Sequence, residues 1–332
     1  MSDVSIIAIG RNEGDRLKAC LRSLPADAAR IYVDSGSTDD SVAFARGAGV
    51  EVVTLPPASV FTAALARNTG LQRVETGDEG FVQMVDGDCS LDPEWIERAL
   101  AAMRAEPDLA VVFGRRRERF PDRSIYNRMC DDEWNVPVGE ARSCGGDALF
   151  RTRAIRAADG YDPTLIAGEE PDLCLRMRAD GWRVRRIDAE MTLHDAAMTR
   201  FGQWWRRTER AGHAFAELAW RHGANADPHW RRETRSIVAW AFASPALILL
   251  IGVAIGWGAA AAGVLVYPLQ MARIAWRKHR AGNTRDFAIA SGFFLVIGKF
   301  AQAKGLLRYH WRRLTGGTAS LIEYKGAEAS RR

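Results

Sequence analysis

Asp86-Gly87-Asp88 is the segment of this 332-residue chain whose chemistry is plainest. It follows the apolar run Phe81-Val82-Gln83-Met84-Val85 and precedes a helix-start signal, Ser90-Leu91-Asp92-Pro93-Glu94-Trp95. Strand residues two apart point the same way, so two carboxylates at a strand end can face one hard cation. Gly87 between them lets a ligand approach the backbone, because no Cβ stands in the way. A divalent ion held there could bridge to a nucleotide diphosphate and neutralise charge on leaving phosphates. The same triplet is also good turn chemistry. Its neighbours decide between the two.

The elements that must position this triplet read as an alternation of short β-branched runs and amphipathic helices. Strands are expected at Val4 to Ile9, Ile31 to Val33, Val50 to Leu55 and in the run ending at Asp86, with helices between them. Such alternation predicts a mostly parallel α/β sheet, whose ligands sit at the carboxyl ends of the strands. The polar clusters fall at those ends: Arg11-Asn12-Glu13, Asp34-Ser35-Gly36-Ser37-Thr38-Asp39 and Asp86-Gly87-Asp88. Three loaded loops on one rim define a site. From Ala110 to Asp188 the pattern becomes mixed, with strand-like Ala110 to Phe113, Asp147 to Phe150 and Arg183 to Ile187.

Composition changes near residue 235. From Ser236 to Trp276 the chain carries no charge except Arg273, enough for two membrane spans of about 20 residues each. Arg206, Arg207, Arg210, Arg221, Arg231, Arg232 and Arg235 precede this block, and Arg273, Arg277, Lys278, Arg280 and Arg285 follow it. Basic flanks on both sides place both in the cytoplasm, as a two-span hairpin requires. Their position beside an apolar block makes membrane lipids, rather than nucleic acid, the expected partner. Phe287 to Leu307 is a third apolar stretch containing Lys299 and Lys304, read as an interfacial or re-entrant helix. Residues 1–210 form the expected catalytic domain, 211–235 a basic amphipathic juxtamembrane segment, 236–276 the hairpin, 277–314 a basic loop with the third helix, and 315–332 a loose tail. No signal peptide precedes the first strand, so the first domain is expected on the cytosolic face of the inner membrane. The five cysteines are scattered without CxxC spacing, which argues for reduced thiols.

Four ordered segments carry a family resemblance: Val4 to Glu13, Val33 to Asp39, Val85 to Asp88, and Gly168-Glu169-Glu170-Pro171-Asp172-Leu173-Cys174-Leu175-Arg176. Over roughly residues 3–210 the chain resembles a family 2 glycosyltransferase of the GT-A fold, a Rossmann-like mixed sheet, here followed by a helical membrane-associated region. The resemblance implies an inverting enzyme that moves a sugar from a nucleoside-diphosphate sugar to a saccharide or lipid-linked acceptor. It assigns Asn12, Glu13 and Asp34 to the nucleotide and Arg67-Asn68 to its phosphate side. Asp86 would serve the ribose or the metal, while Asp88 and His194 would hold Mg²⁺ or Mn²⁺. Glu170 is implied as catalytic base, with Glu169 beside it and Asp172 as the alternative. Gly145, Gly146 and Asp147 match the acceptor loop. The family's second nucleotide-side acid is Ser35 here, and glutamate replaces the usual aspartate at 170. Gln203-Trp204-Trp205-Arg206-Arg207 lacks the closing tryptophan of the processive synthases' signature. The alternatives are a polyprenyl-phosphate sugar synthase and a non-catalytic nucleotide-sugar-binding membrane scaffold.

Overall fold

A computed structural model describes residues 3–56, 61–223 and 230–316; the expected loose tail lies almost wholly outside them. Among the described residues, nine strands make one mixed sheet in the order β3-β2-β1-β4-β8-β6-β9-β5, with β7 on β9. The strands are β1 (Val4–Gly10), β2 (Ala29–Asp34), β3 (Glu51–Thr54), β4 (Phe81–Asp86), β5 (Cys89–Leu91), β6 (Leu109–Glu118), β7 (Gly139–Glu140), β8 (Ala148–Arg151) and β9 (Arg183–His194). The helices of this unit are α1 (Asp15–Ser23), α2 (Ser41–Gly47), α3 (Ala63–Leu71), α4 (Trp95–Ala105), α5 (Ile125–Trp134), α6 (Thr152–Ala157) and α7 (Glu169–Ala179), α5 being shared with the helical unit.

β1, β2, β3 and β4 are parallel; β1 and β4 are nearly continuous in apolar residues, as strands covered on both faces must be, while β3 at the end of the order is not buried. Ile6, Ile7, Val33, Val82, Met84, Val111, Leu149 and Phe150 are buried at the sheet's centre. Register then sets the rim: Gly10 lies opposite Asp34 and Ile9 opposite Asp86, so the first, second and fourth loops leave the sheet side by side.

Two strands run further than their apolar runs. β6 continues through Arg115-Arg116-Arg117-Glu118, and β9 continues to His194. They pair in parallel, with Glu118 opposite His194. The extension is stabilised by charge pairing, Arg117 meeting Glu190 at 2.6 Å and Arg115 meeting Asp131 at 2.9 Å.

The second unit is helical. It contains the amphipathic helix α8 (Phe201–His222) and two helices long and apolar enough to cross a membrane, Arg231–Ala254 and Arg285–Thr315. Phe287 to Leu307 is therefore part of an uninterrupted 31-residue helix. The block after Ala254 breaks at Gly256, whose φ is 129°, and resumes as Trp257–Val264 and Val266–Arg280. Leu247, Leu249, Leu250 and Val253 project outward and exposed. Gly305 lies so close to the Glu209 carbonyl that any side chain there would overlap it. At the same crossing the buried Glu209 carboxylate meets Lys304 at 2.9 Å and Arg308 at 3.5 Å.

Candidate active site

The first two loops are tied to each other. The Asn12 side-chain oxygen accepts from the Thr38 backbone N–H at 2.7 Å, and the Asn12 backbone N–H donates to Ser37 Oγ at 2.9 Å. Asp34 is buried and accepts from the backbone N–H groups of Gly36 and Ser37 and from the Tyr32 hydroxyl, each at 3.0 Å. Its carboxylate thus shapes the second loop. Asp39 does the corresponding work one turn later, accepting from Gly14 and Ser41 backbone N–H groups. Glu13 pairs with Arg16 at 2.7 Å. Asn12, Glu13 and Asp34 are therefore neighbours at one end of the rim.

α3 begins where Thr62 Oγ1 caps the Leu65 N–H, and its first turns carry Arg67 into the sheet's edge. The Arg67 guanidinium is 3% exposed and joins three acids: Asp86 at 2.8 Å, Glu170 at 2.8 Å and Glu169 at 3.3 Å. Burial opposes its charge, but Glu170 and Asp86 outweigh burial and hold it protonated. Asn68 is directed elsewhere. Its amide donates to the Tyr161 carbonyl at 2.7 Å and accepts from the Tyr161 N–H at 2.9 Å, pinning the loop that leads to α7.

α7 starts at Gly168, in the left-handed region at φ 85°, so that Glu169 and Glu170 turn back toward Arg67. Burial and the neighbouring Glu169 charge raise the Glu170 carboxyl to about 7, with Arg67 opposing. That value suits a group that must take up a proton near neutrality. Asp172 is buried and paired with Arg176 at 2.9 Å, one turn along the same helix.

Gly146 faces this cluster directly. A Cβ there would stand 2.6 Å from an Asp86 carboxylate oxygen and 2.7 Å from an Arg67 nitrogen. Asp147 is buried and braces the rim, accepting from the Asp86 N–H at 2.9 Å and the Thr192 hydroxyl at 2.8 Å. Gly145 lies beside Arg116.

On the far side of Asp86, antiparallel pairing of β5 with β9 sets Cys89 opposite His194. His194 Nε2 lies 3.3 Å from the Asp88 carboxylate, and Nδ1 lies 3.5 Å from Glu118. The Trp134 ring packs edge-to-face against the imidazole, centroids 4.7 Å apart. Burial, then the Arg116 charge, lowers the His194 pKa and favours the neutral, ligating form.

Ligand atoms of Asp88, Cys89 and His194 lie within 4.8 Å of one another, as do those of Asp86, Cys89 and Asp147. The first set fits a divalent ion: a carboxylate and a neutral imidazole suit Mn²⁺ or Mg²⁺, with other positions left to water and phosphate oxygens. Burial pushes the Cys89 thiol up, so it stays protonated and contributes little. In the second set Asp86 meets Arg67 and Arg116, and Asp147 is a brace.

Arg116, Glu118, Trp134 and Thr192 are the site residues the sequence reading did not single out. Arg116 stands 3.4 Å from Asp86 and 3.6 Å from Asp147, over the Trp134 ring at 4.9 Å. The signal available was the charged run Arg115 to Glu118 continuing directly from an apolar strand.

The family described as glycosyl transferase family 2 matches residues 5–160. An uncharacterised glycosyltransferase of Mycobacterium bovis is 30% identical over 201 residues, covering 56% of this chain and 83% of that protein. The chain belongs to glycosyl transferase family 2, and its sheet domain is a glycosyltransferase-type catalytic domain. A pre-mycofactocin glycosyltransferase of Mycobacterium tuberculosis is 26% identical over 327 residues, which is 93% of this chain and 65% of the relative's own length. The fold matches a Pyrobaculum calidifontis mannosyltransferase, solved with GDP-Man and Mn²⁺, at a TM-score of 0.60 and 17% identity, covering 94% of this chain and 88% of that one.

Proposed function

We propose that the protein is a membrane-anchored, inverting glycosyltransferase that moves one sugar from a nucleoside-diphosphate sugar to a saccharide or lipid-linked acceptor at the cytosolic membrane face. The observation that carries this reading is the junction at Arg67, which joins Asp86 on the donor side to Glu170 on the acceptor side. The acceptor hydroxyl oxygen bonds to the anomeric carbon as the bond from that carbon to the diphosphate oxygen breaks. Glu170 takes the hydroxyl proton, and attack from the face opposite the leaving group inverts the carbon. Arg67 and Glu169 hold Glu170 in place, one by attraction and the other by crowding its charge. Asp88 and His194 would hold the divalent ion, with Glu118 orienting the imidazole. When bound, that ion supplies positive charge to the departing diphosphate. Asn12, Glu13 and Asp34 would line the nucleotide end, and the loop of Gly145 and Gly146 would meet the acceptor sugar.

The division of the chain reached from sequence stands as part of the proposal. A transferase over 1–210 would be anchored by a hairpin over 236–276 turning at Gly256, where Trp257 folds back against Gly252. The flanking arginines would keep the catalytic domain cytosolic through the positive-inside bias and anionic lipid.

The test incubates the full-length protein, in membranes, with a panel of nucleotide sugars and Mn²⁺ and measures nucleoside-diphosphate release. GDP-Man belongs in the panel because the Pyrobaculum enzyme was solved with it. Release from one donor is expected, falling about 100- to 10,000-fold in Glu170→Gln and ceasing on chelation. A sugar phospholipid as product would specify a polyprenyl-phosphate sugar synthase. Donor binding without turnover on any acceptor, in protein shown to be folded, would overturn catalysis and favour a binding scaffold.

A further inference from the structure

We propose that Arg116, held by Trp134, is the residue that grips the donor diphosphate, a role that the family resemblance implies for Arg67. The inference rests on the donor reading above.

The two arginines differ in the length of their contacts to the acids around them. Arg67 is buried among Asp86, Glu169 and Glu170, with contacts of 2.8 Å to two of them. Its planar face covers the Tyr161 ring at 5.4 Å. A phosphate would have to displace well-formed ion pairs to reach it. Arg116 is placed otherwise. Its distances to Asp86 and Asp147, 3.4 and 3.6 Å, are long for charge-assisted hydrogen bonds, which run about 2.7–2.9 Å. Each of those carboxylates has a shorter partner, Arg67 for Asp86 and Thr192 for Asp147. Each acid would keep that shorter partner if Arg116 took up an incoming anion.

Trp134 supplies the aim. The guanidinium lies over the indole at 4.9 Å, and the same indole packs against His194 at 4.7 Å. One ring thus contacts the imidazole of the cation-donor pair Asp88 and His194 at one part and the guanidinium at another. A diphosphate coordinating an ion at the first would present oxygens to the second. A guanidinium matches two phosphate oxygens at once, which an ammonium does not.

The experiment compares full-length wild type with Arg116→Gln, Arg116→Lys and Trp134→Leu in detergent. Binding of inorganic pyrophosphate, UDP and GDP is measured calorimetrically with Mn²⁺. Uridine and guanosine, which lack phosphate, are titrated alongside, and Mn²⁺ alone is followed by electron paramagnetic resonance. Arg116→Gln should weaken every diphosphate about 10- to 100-fold, Arg116→Lys should recover only part of that, and Trp134→Leu should fall between wild type and Arg116→Gln. Nucleoside affinity should be unchanged, and Mn²⁺ affinity equal to or tighter than wild type. Diphosphate affinity within twofold of wild type in both Arg116 variants would overturn the inference alone. Equal weakening of nucleosides and diphosphates, or full rescue by lysine, would overturn it in favour of a structural role. Failure of wild type to bind any diphosphate with Mn²⁺ would overturn it together with the donor reading.

Discussion

The two units bury acids in opposite proportions. In the helical unit one carboxylate, Glu209, receives two cations, Lys304 and Arg308. In the sheet unit one cation, Arg67, serves three carboxylates, Asp86, Glu169 and Glu170. The side-chain chemistry is the same in both places, yet the outcomes differ. Where cations are in surplus, the acid ties helices together. Where acids are in surplus, one of them is driven toward neutrality, and the remainder attracts positive charge from outside. Burial, joined by the Glu169 charge, raises Glu170 to about 7. Burial is common to both places; the balance of charges around each acid is what differs.

This contrast can be broken most sharply at Asp88. Asp88→Asn should lower transfer about 100- to 1,000-fold and weaken Mn²⁺ binding in parallel, with saturating Mn²⁺ restoring part of the rate. Unchanged rates across a Mn²⁺ titration would remove the cation from the scheme. Next comes crowding at Gly146. Gly146→Ala pushes a methyl group against Asp86 and Arg67, and about a hundredfold loss in kcat with the fold intact by circular dichroism is expected. A rate near wild type would mean that the junction gives way without cost.

The pH profile sharpens the comparison from the acid-rich side. A base must be ionised, so kcat should rise about tenfold per unit up to pH about 7 and level off above it. The residual rate of Glu170→Gln should lack that limb. A limb retained in the variant would assign the titration to another group. The smallest effect on rate is expected in the cation-rich unit. Glu209→Gln should leave kcat within twofold while costing about 1–3 kcal/mol of stability, read as a lower melting temperature in detergent. Loss of activity without loss of stability there would show that the two units' acids are not so cleanly divided.

Much of the rim was legible because local pattern encodes it. The strand ending at Asp86, the helix after Thr62 and the acids opening α7 follow from apolar runs and turn residues that lie close in sequence. The functions of individual polar groups were less legible. Asp34 and Asn68 spend their hydrogen bonds on backbone groups, and which N–H a carboxylate will meet depends on loop geometry that residue type does not carry. Arg116, Glu118 and Thr192 escaped for another reason. They lie on strand segments whose charges mask the strand pattern, and they meet only because β6 and β9, some seventy residues apart, pair in parallel. Long-range pairing leaves little trace in any short window.

That pairing also carries slack. Phe113 faces Arg186 and Glu118 faces His194, so five steps along β6 (113 to 118) are matched by eight along β9 (186 to 194). The surplus is taken up in bulges between the packed middle of the sheet and the rim, where a strand can gain a residue without disturbing either end. It works as an adjustable spacer. Below it, the ladder is fixed by the core; above it, pairing resumes in step, with Arg116, Arg117 and Glu118 opposite Thr192, Leu193 and His194. Length changes over residues 187–190 would thus tune where the cation donors stand relative to the nucleotide loops, while the sheet beneath keeps its register.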